Sequence, residues 1–174
     1  LSRAIAQAGQ SEVDIIRALE LHLKKYTSTA QKVDVERAIV KTALEIDDKR
    51  RILEYGERVL AIDADNPDLL ERLARLLLND EKNKDSNTRA LAHARALEKW
   101  VQNQEKIDTG AHNVAKRYEE LHMAAGKALV YQARAAGNLG RADEALALAQ
   151  SSFDASPSAE SAREIARWME RGGK

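Results

Sequence analysis

Four histidines, His22, His93, His112 and His122, are the side chains of this sequence best suited to hold a metal or move a proton near neutral pH. None belongs to an H-E-x-x-H pair, which would set two imidazoles and a general base on one helical face. Glu119 and His122 do form E-x-x-H, the spacing that di-metal helical bundles use. Such a site needs two of these motifs and two more carboxylates on facing helices, and only one motif occurs. A solvated or half-buried helical face accounts for the pair more simply. There is no cysteine, which removes disulfides, thiolate metal sites and cysteine nucleophiles. A glycine-rich phosphate loop, a G-x-S-x-G elbow and a dinucleotide fingerprint are missing as well. We therefore expect no catalysis, no metal and no cofactor.

The elements that would position any site are helical. The chain has 174 residues, 44% apolar and 32% charged, with zero net charge. That composition suits a soluble, folded, helix-rich protein and argues against a broad nucleic-acid or membrane footprint. No apolar run approaches a membrane span. Both ends read as cut within or just after a helix, so the compartment stays open; a removed signal peptide would imply the bacterial periplasm. Nine helices are expected, at about 1–8, 11–26, 31–46, 48–62, 67–79, 87–104, 110–137, 142–155 and 159–171. "ADNPD" at 64–68 and "SPSAE" at 156–160 are boundaries, with Asn66 and Ser158 as caps.

The helices pair, and the pairs recur: "RALAHA" at 89–94 matches "EALALA" at 144–149. Ala142, Ala145, Ala149 and Ser152 share one helical face, Phe153 continues it, and Pro157 stops the helix. Before them come Gln132, Ala133 and Ala136 on a first helix, and Leu139, Gly140 and Arg141 at a turn. This segment resembles a tetratricopeptide repeat of the kind found in bacterial repeat proteins. Residues 33–66 fit the same unit of about 34 residues, with Ala43, Ile52 and Gly56 at contact positions and Asp47-Asp48 where a turn glycine is usual. The resemblance implies stacked antiparallel hairpins in a right-handed solenoid, a single all-α domain over 1–174 with about four units. A surplus falls at about 105–125, because Ala90 and Ala145 are farther apart than one repeat. We expect helices 87–104 and 110–137 to form an oversized hairpin packed through Trp100, Val114, Tyr118 and Leu121.

In this family the first helix of each pair lines a concave face that typically binds peptides or protein segments. Six residues before the five inter-helix turns stand Arg3, Lys41, Arg75, Arg134 and Arg167, all basic. A ladder of such cations along the groove suits an acidic segment or a chain terminus. The plainer account is that Arg and Lys are good helix formers on any solvated helix. The asparagines by which some family members hold a terminal carboxylate are not at the matching places. Trp100 and Trp168 are secondary contact candidates. The plainer account packs Trp100 between the long helices and treats Trp168 as core left uncovered. The last helix is expected to dock Ile165, Ala166 and Met169 on helix 142–155, leaving a strip near Trp168 for a homodimer. The function expected is a protein-interaction scaffold that binds a protein or peptide, without catalysis, nucleic acid or a membrane span. The alternative is a regulatory or sensory domain of a larger enzyme or transcription regulator.

Overall fold

The computed structural model describes residues 11–107 and 114–172. The helix expected at 1–8, with Arg3, lies outside the described residues, as do His112 and Gly173. The described residues form eight α-helices and no strand. None of these helices is long and apolar enough to cross a membrane. The chain divides into two compact units, with the division at Asn66–Pro67 inside the "ADNPD" boundary.

The first unit contains α1 (Glu12–Lys25), α2 (Lys32–Glu45) and α3 (Lys49–Leu60). The Ser11 side chain caps α1 by accepting from the Asp14 N–H. Val35, Ile39 and Ala43 recur at four-residue spacing and are fully buried, opposite Ile52 on α3. Arg51 seals the edge of this core. Its Nε and Nη2 donate to the two Glu20 oxygens at 2.8 and 2.9 Å, and its Nη1 donates to Asp48.

The second unit contains α4 (Pro67–Leu77), α5 (Lys84–Glu105), α6 (Val114–Asn138), α7 (Ala142–Ala155) and α8 (Ala159–Arg171). Each helix packs on the next, and α4, α6 and α8 also touch in order. At 22 and 25 residues, α5 and α6 outlast α4 and α7, which have 11 and 14. At 1.5 Å per residue α6 spans about 37 Å.

Small residues set the α6–α7 distance. Ala128 and Ala136 on α6, and Ala145, Ala149 and Ser152 on α7, are wholly buried. Ser152 Oγ donates to the Gly126 carbonyl at 2.7 Å, and a Cβ at Gly126 would lie 2.8 Å from Ser156 Cβ. The seam is too close for a ring. Phe153, expected to continue the buried face, is therefore displaced outward, and Ser152 takes that place.

Two turns share one local structure. Asp47 (φ 55°) and Gly140 (φ 85°) both follow a helix in the left-handed conformation. The next N–H in each case, of Asp48 or Arg141, closes back on the carbonyl of Ala43 or Ala136 at 2.9 and 3.0 Å. This is the Schellman closure, and an aspartate replaces the customary glycine in the first copy. The α4–α5 turn uses a side chain instead. Fully buried Asn87 donates through Nδ2 to the carbonyls of Asp80, Glu81 and Asn83, and its Oδ1 accepts from Asn138 Nδ2 at 2.8 Å.

The oversized hairpin packs differently from the sequence expectation. Leu121 is buried and Trp100 half-buried, but Val114 and Tyr118 are 64% and 59% exposed. The reason lies in α5, which ends at Glu105. Opposite the first turns of α6, among the described residues, stand only Gln104 and Glu105 from the last turn of α5, and Ile107 beyond it, around an open cleft of about 550 Å³.

The buried face of α8 also differs. Ser161, Glu164 and Trp168 face inward at the i, i+3, i+7 spacing, while Ala166 and Met169 are exposed and Ile165 half-buried. Trp168 closes on Ala136 and Ala145, in a notch that exists because residue 137 is glycine. A Cβ there would overlap the indole at Cζ2.

Candidate functional site

The α8 face carries charge into the interior. Glu164 is 5% exposed, and its Oε1 accepts from Arg134 Nε of α6 at 2.6 Å. Its Oε2 accepts from Trp168 Nε1 at 3.1 Å and faces Arg167 Nη1 at 3.9 Å. Both carboxylate oxygens are thus held, as a buried acid requires. Arg134 also reaches Glu160 through Nη2 at 2.8 Å, and Arg167 Nη2 donates to Glu81 Oε1 at 2.8 Å. The Arg167 and Arg171 guanidinium groups lie 5.2 and 5.1 Å from the Trp168 ring centre.

The pKa directions follow this geometry. Burial works against the Arg134 charge, but the hydrogen bond and charge of Glu164, with Glu160, outweigh it and raise the guanidinium further. The Arg167 hydrogen bond, then its charge, holds the Glu81 carboxyl below its usual value. Burial, then Glu71, pushes the Tyr131 phenol up. Tyr131 Oη donates to Glu71 at 3.4 Å, and Glu71 also receives Lys127 at 3.3 Å. Arg75 follows Glu71 by one turn of α4, Arg134 follows Tyr131 by one turn of α6, and Arg134 and Arg167 both face Glu164.

Three of the five basic residues singled out in the sequence are therefore neighbours on the α4–α6–α8 face: Arg75, Arg134 and Arg167. Lys41 is exposed on α2 of the first unit, and Arg3 lies outside the described residues. Only Arg75 of the three is exposed, and no ion pair joins it to another described residue. Arg134 and Arg167 already hold carboxylates. Reversing the charge at Arg134 would set a third acid against Glu160 and buried Glu164. Breaking a buried pair in this way costs about 3–5 kcal/mol. The expectation of an uncovered Trp168 strip is corrected too: Trp168 is 2% exposed, so it anchors α8 and offers no surface to a partner.

Trp100 lies on the wall of a second cleft, of about 280 Å³, with Leu97 on α5, Leu121 on α6 and Pro67 on α4. It thus sits between the long helices and faces solvent in part. Glu119 is exposed, and His122 turns away from it, its Nδ1 donating to the Ala155 carbonyl at 3.2 Å. Among the described residues no three His, Asp or Glu side chains gather as a metal site.

Glu81, Glu160 and Glu164 were not singled out in the sequence. The available signal was the Glu164–Trp168 spacing of one helical turn, which places a carboxylate beside an indole N–H. The chain matches no protein-family model and no curated protein sequence.

Proposed function

We propose that the chain is a tetratricopeptide-like interaction scaffold without catalysis, and that a partner's acidic segment docks along the α4–α6–α8 face. The observation that carries this reading is the delivery of Arg75, Arg134 and Arg167 by three alternate helices that touch in order, joined through the Glu71–Tyr131 and Glu164 contacts. Guanidinium groups bind carboxylates through forked, charge-assisted hydrogen bonds, so a row of them selects acidic chains. Two further features support it. The α6–α7 seam is built of small residues, as in this repeat family. The Asp47 and Gly140 turns repeat one closure at equivalent places.

An array of short peptides graded in charge, probed with the whole chain, tests the proposal. Acidic peptides should bind, and weaken as salt rises, because exposed charges are screened over about 8–10 Å at moderate ionic strength. Arg75→Glu should remove that binding with little change in melting temperature, since surface substitutions usually shift stability by less than about 0.5 kcal/mol. Unchanged binding of acidic peptides by Arg75→Glu would place recognition elsewhere, the Trp100 cleft first.

A further inference from the structure

We propose that Glu160 and Glu81 are internal occupants of this site, standing where a partner's carboxylates sit, so that docking proceeds by carboxylate exchange on Arg134 and Arg167. The proposal rests on the α4–α6–α8 face being the docking surface.

Each arginine holds two kinds of acid. Glu164 is the fixed one. It is buried, it takes Arg134 Nε at 2.6 Å, and it is also the acceptor for the Trp168 indole. Removing it would strand a guanidinium and an indole N–H inside the protein. Glu160 and Glu81 are the replaceable ones. Their side chains are 42% and 53% exposed, and each grips its arginine through one outer oxygen at 2.8 Å. Half-exposed ion pairs contribute little net free energy, because water and salt compete for both partners. Swinging Glu160 into solvent leaves Arg134 bound to Glu164 at 2.6 Å, and swinging Glu81 away leaves Arg167 over the Trp168 ring, 3.9 Å from Glu164.

The exchange also changes the local charge. With both glutamates in place, Arg134 and Arg167 face three carboxylates: Glu81, Glu160 and Glu164. With both withdrawn, they face Glu164 alone, beside exposed Arg75. Glu71, the other acid of this face, stays engaged by Lys127 and Tyr131. The exposed site is then cationic and fitted to two or three carboxylates of an extended acidic segment. Arg167 also reports on the event, because its guanidinium lies 5.2 Å from the Trp168 ring.

The test uses the whole chain and a fluorescein-labelled hexaglutamate peptide, with binding read by anisotropy. Glu81→Gln/Glu160→Gln keeps side-chain size and removes both internal carboxylates. Glu12→Gln/Glu45→Gln, at exposed positions of the first unit, changes net charge by the same amount. We expect the first pair to bind about fivefold to thirtyfold tighter than wild type, the range set by releasing two half-exposed ion pairs. The second pair should stay within about twofold of wild type. Trp168 emission, followed in a Trp100→Phe background, should shift on peptide addition to the tighter variant. Equal tightening by both pairs, or none by Glu81→Gln/Glu160→Gln while wild type binds, overturns exchange and leaves the docking face standing. Absence of binding by every variant, all helical by circular dichroism, overturns the docking face and exchange with it. Should the double variant not fold, Glu81→Gln alone, altering a carboxylate on an exposed turn, is held to the same comparison with Glu45→Gln.

Discussion

Gly137→Ala is the substitution that most directly probes how α8 is held. In an isolated helix, alanine in place of glycine stabilises by up to about 1 kcal/mol. Here the new methyl would fall on the Trp168 ring, overlapping Cζ2 and lying 2.6 Å from Cε2. Carbon atoms at rest sit about 3.5–4.0 Å apart, so the ring or the helix must move by roughly an ångström. The ring is poorly placed to move. Its N–H is bound to Glu164, it packs on Ala136 and Ala145, and two guanidinium groups lie near it. Overpacking of a well-filled core costs about 1–3 kcal/mol, and losing the packing of a tryptophan costs about 3–5 kcal/mol. With the ring expelled, and after the gain in helix propensity, a net loss of about 2–4 kcal/mol is expected. Urea titration followed by circular dichroism measures it, in a cycle with Trp168→Ala. In the Trp168→Ala background, Gly137→Ala should be neutral or stabilising by up to about 1 kcal/mol. A Gly137→Ala protein as stable as wild type, or equal effects of Gly137→Ala in both backgrounds, would refute the notch as the anchor of α8.

Asn87→Ala should cost about 2–4 kcal/mol in urea titration, because three carbonyls of the α4–α5 turn lose their shared donor and the Asn138 amide loses its buried acceptor. Asn87→Asp should cost more, since a carboxylate would face three carbonyl oxygens with nothing to donate. Ser158→Ala removes a capping box, in which Ser158 and Ser161 satisfy each other's backbone N–H groups. A loss of about 1 kcal/mol and a lower melting temperature should follow. Asp48→Asn tests the first unit by pH. Burial alone would raise the Asp48 carboxyl, but hydrogen bonds from the Arg51 backbone and guanidinium, with its charge, hold it below the usual value. The unfolded chain then binds more protons in the acid range, so the Asp48 contribution is complete above about pH 4–5 and fades as pH falls further. Wild type should exceed Asp48→Asn in stability at neutral pH, and the gap should close on acidification; a gap independent of pH would show that Asp48 acts through its shape alone.

Helix positions were legible because their signals are local. Pro67 and Pro157 mark ends through a missing N–H and a fixed φ, and Ser158 marks a start through its side-chain oxygen. The Ala145, Ala149, Ser152 stripe was legible for the same reason: its spacing is that of one helical face. The face of α8 was not. Ranked by hydrophobicity, Ile165, Ala166 and Met169 outweigh Ser161 and Glu164. The deciding fact is the missing Cβ at Gly137, 31 residues earlier in the chain. Once Trp168 enters that notch, Glu164 follows one turn behind it and must be met by Arg134. Of the ladder, spacing from the turns picked out Arg75, Arg134 and Arg167, which stand on helices that touch in order, while Lys41 falls in the first unit and Arg3 outside the described residues. Its charge balance was not legible, because Glu81 and Glu160 read as ordinary solvated acids. On α6, Val114 and Tyr118 keep the spacing of the buried stripe, but spacing does not reveal where the facing helix stops.

The pattern of neighbours in the second unit has a kinetic consequence. Every helix there touches only helices one or two places away along the chain. Stability is then close to a sum of adjacent interfaces. Among the helices of this unit, α6, enclosed by α4, α5, α7 and α8, should hold the amides that exchange last with deuterium. Contacts this short in sequence also close quickly, so the unit should regain its helices in microseconds to milliseconds after dilution from denaturant.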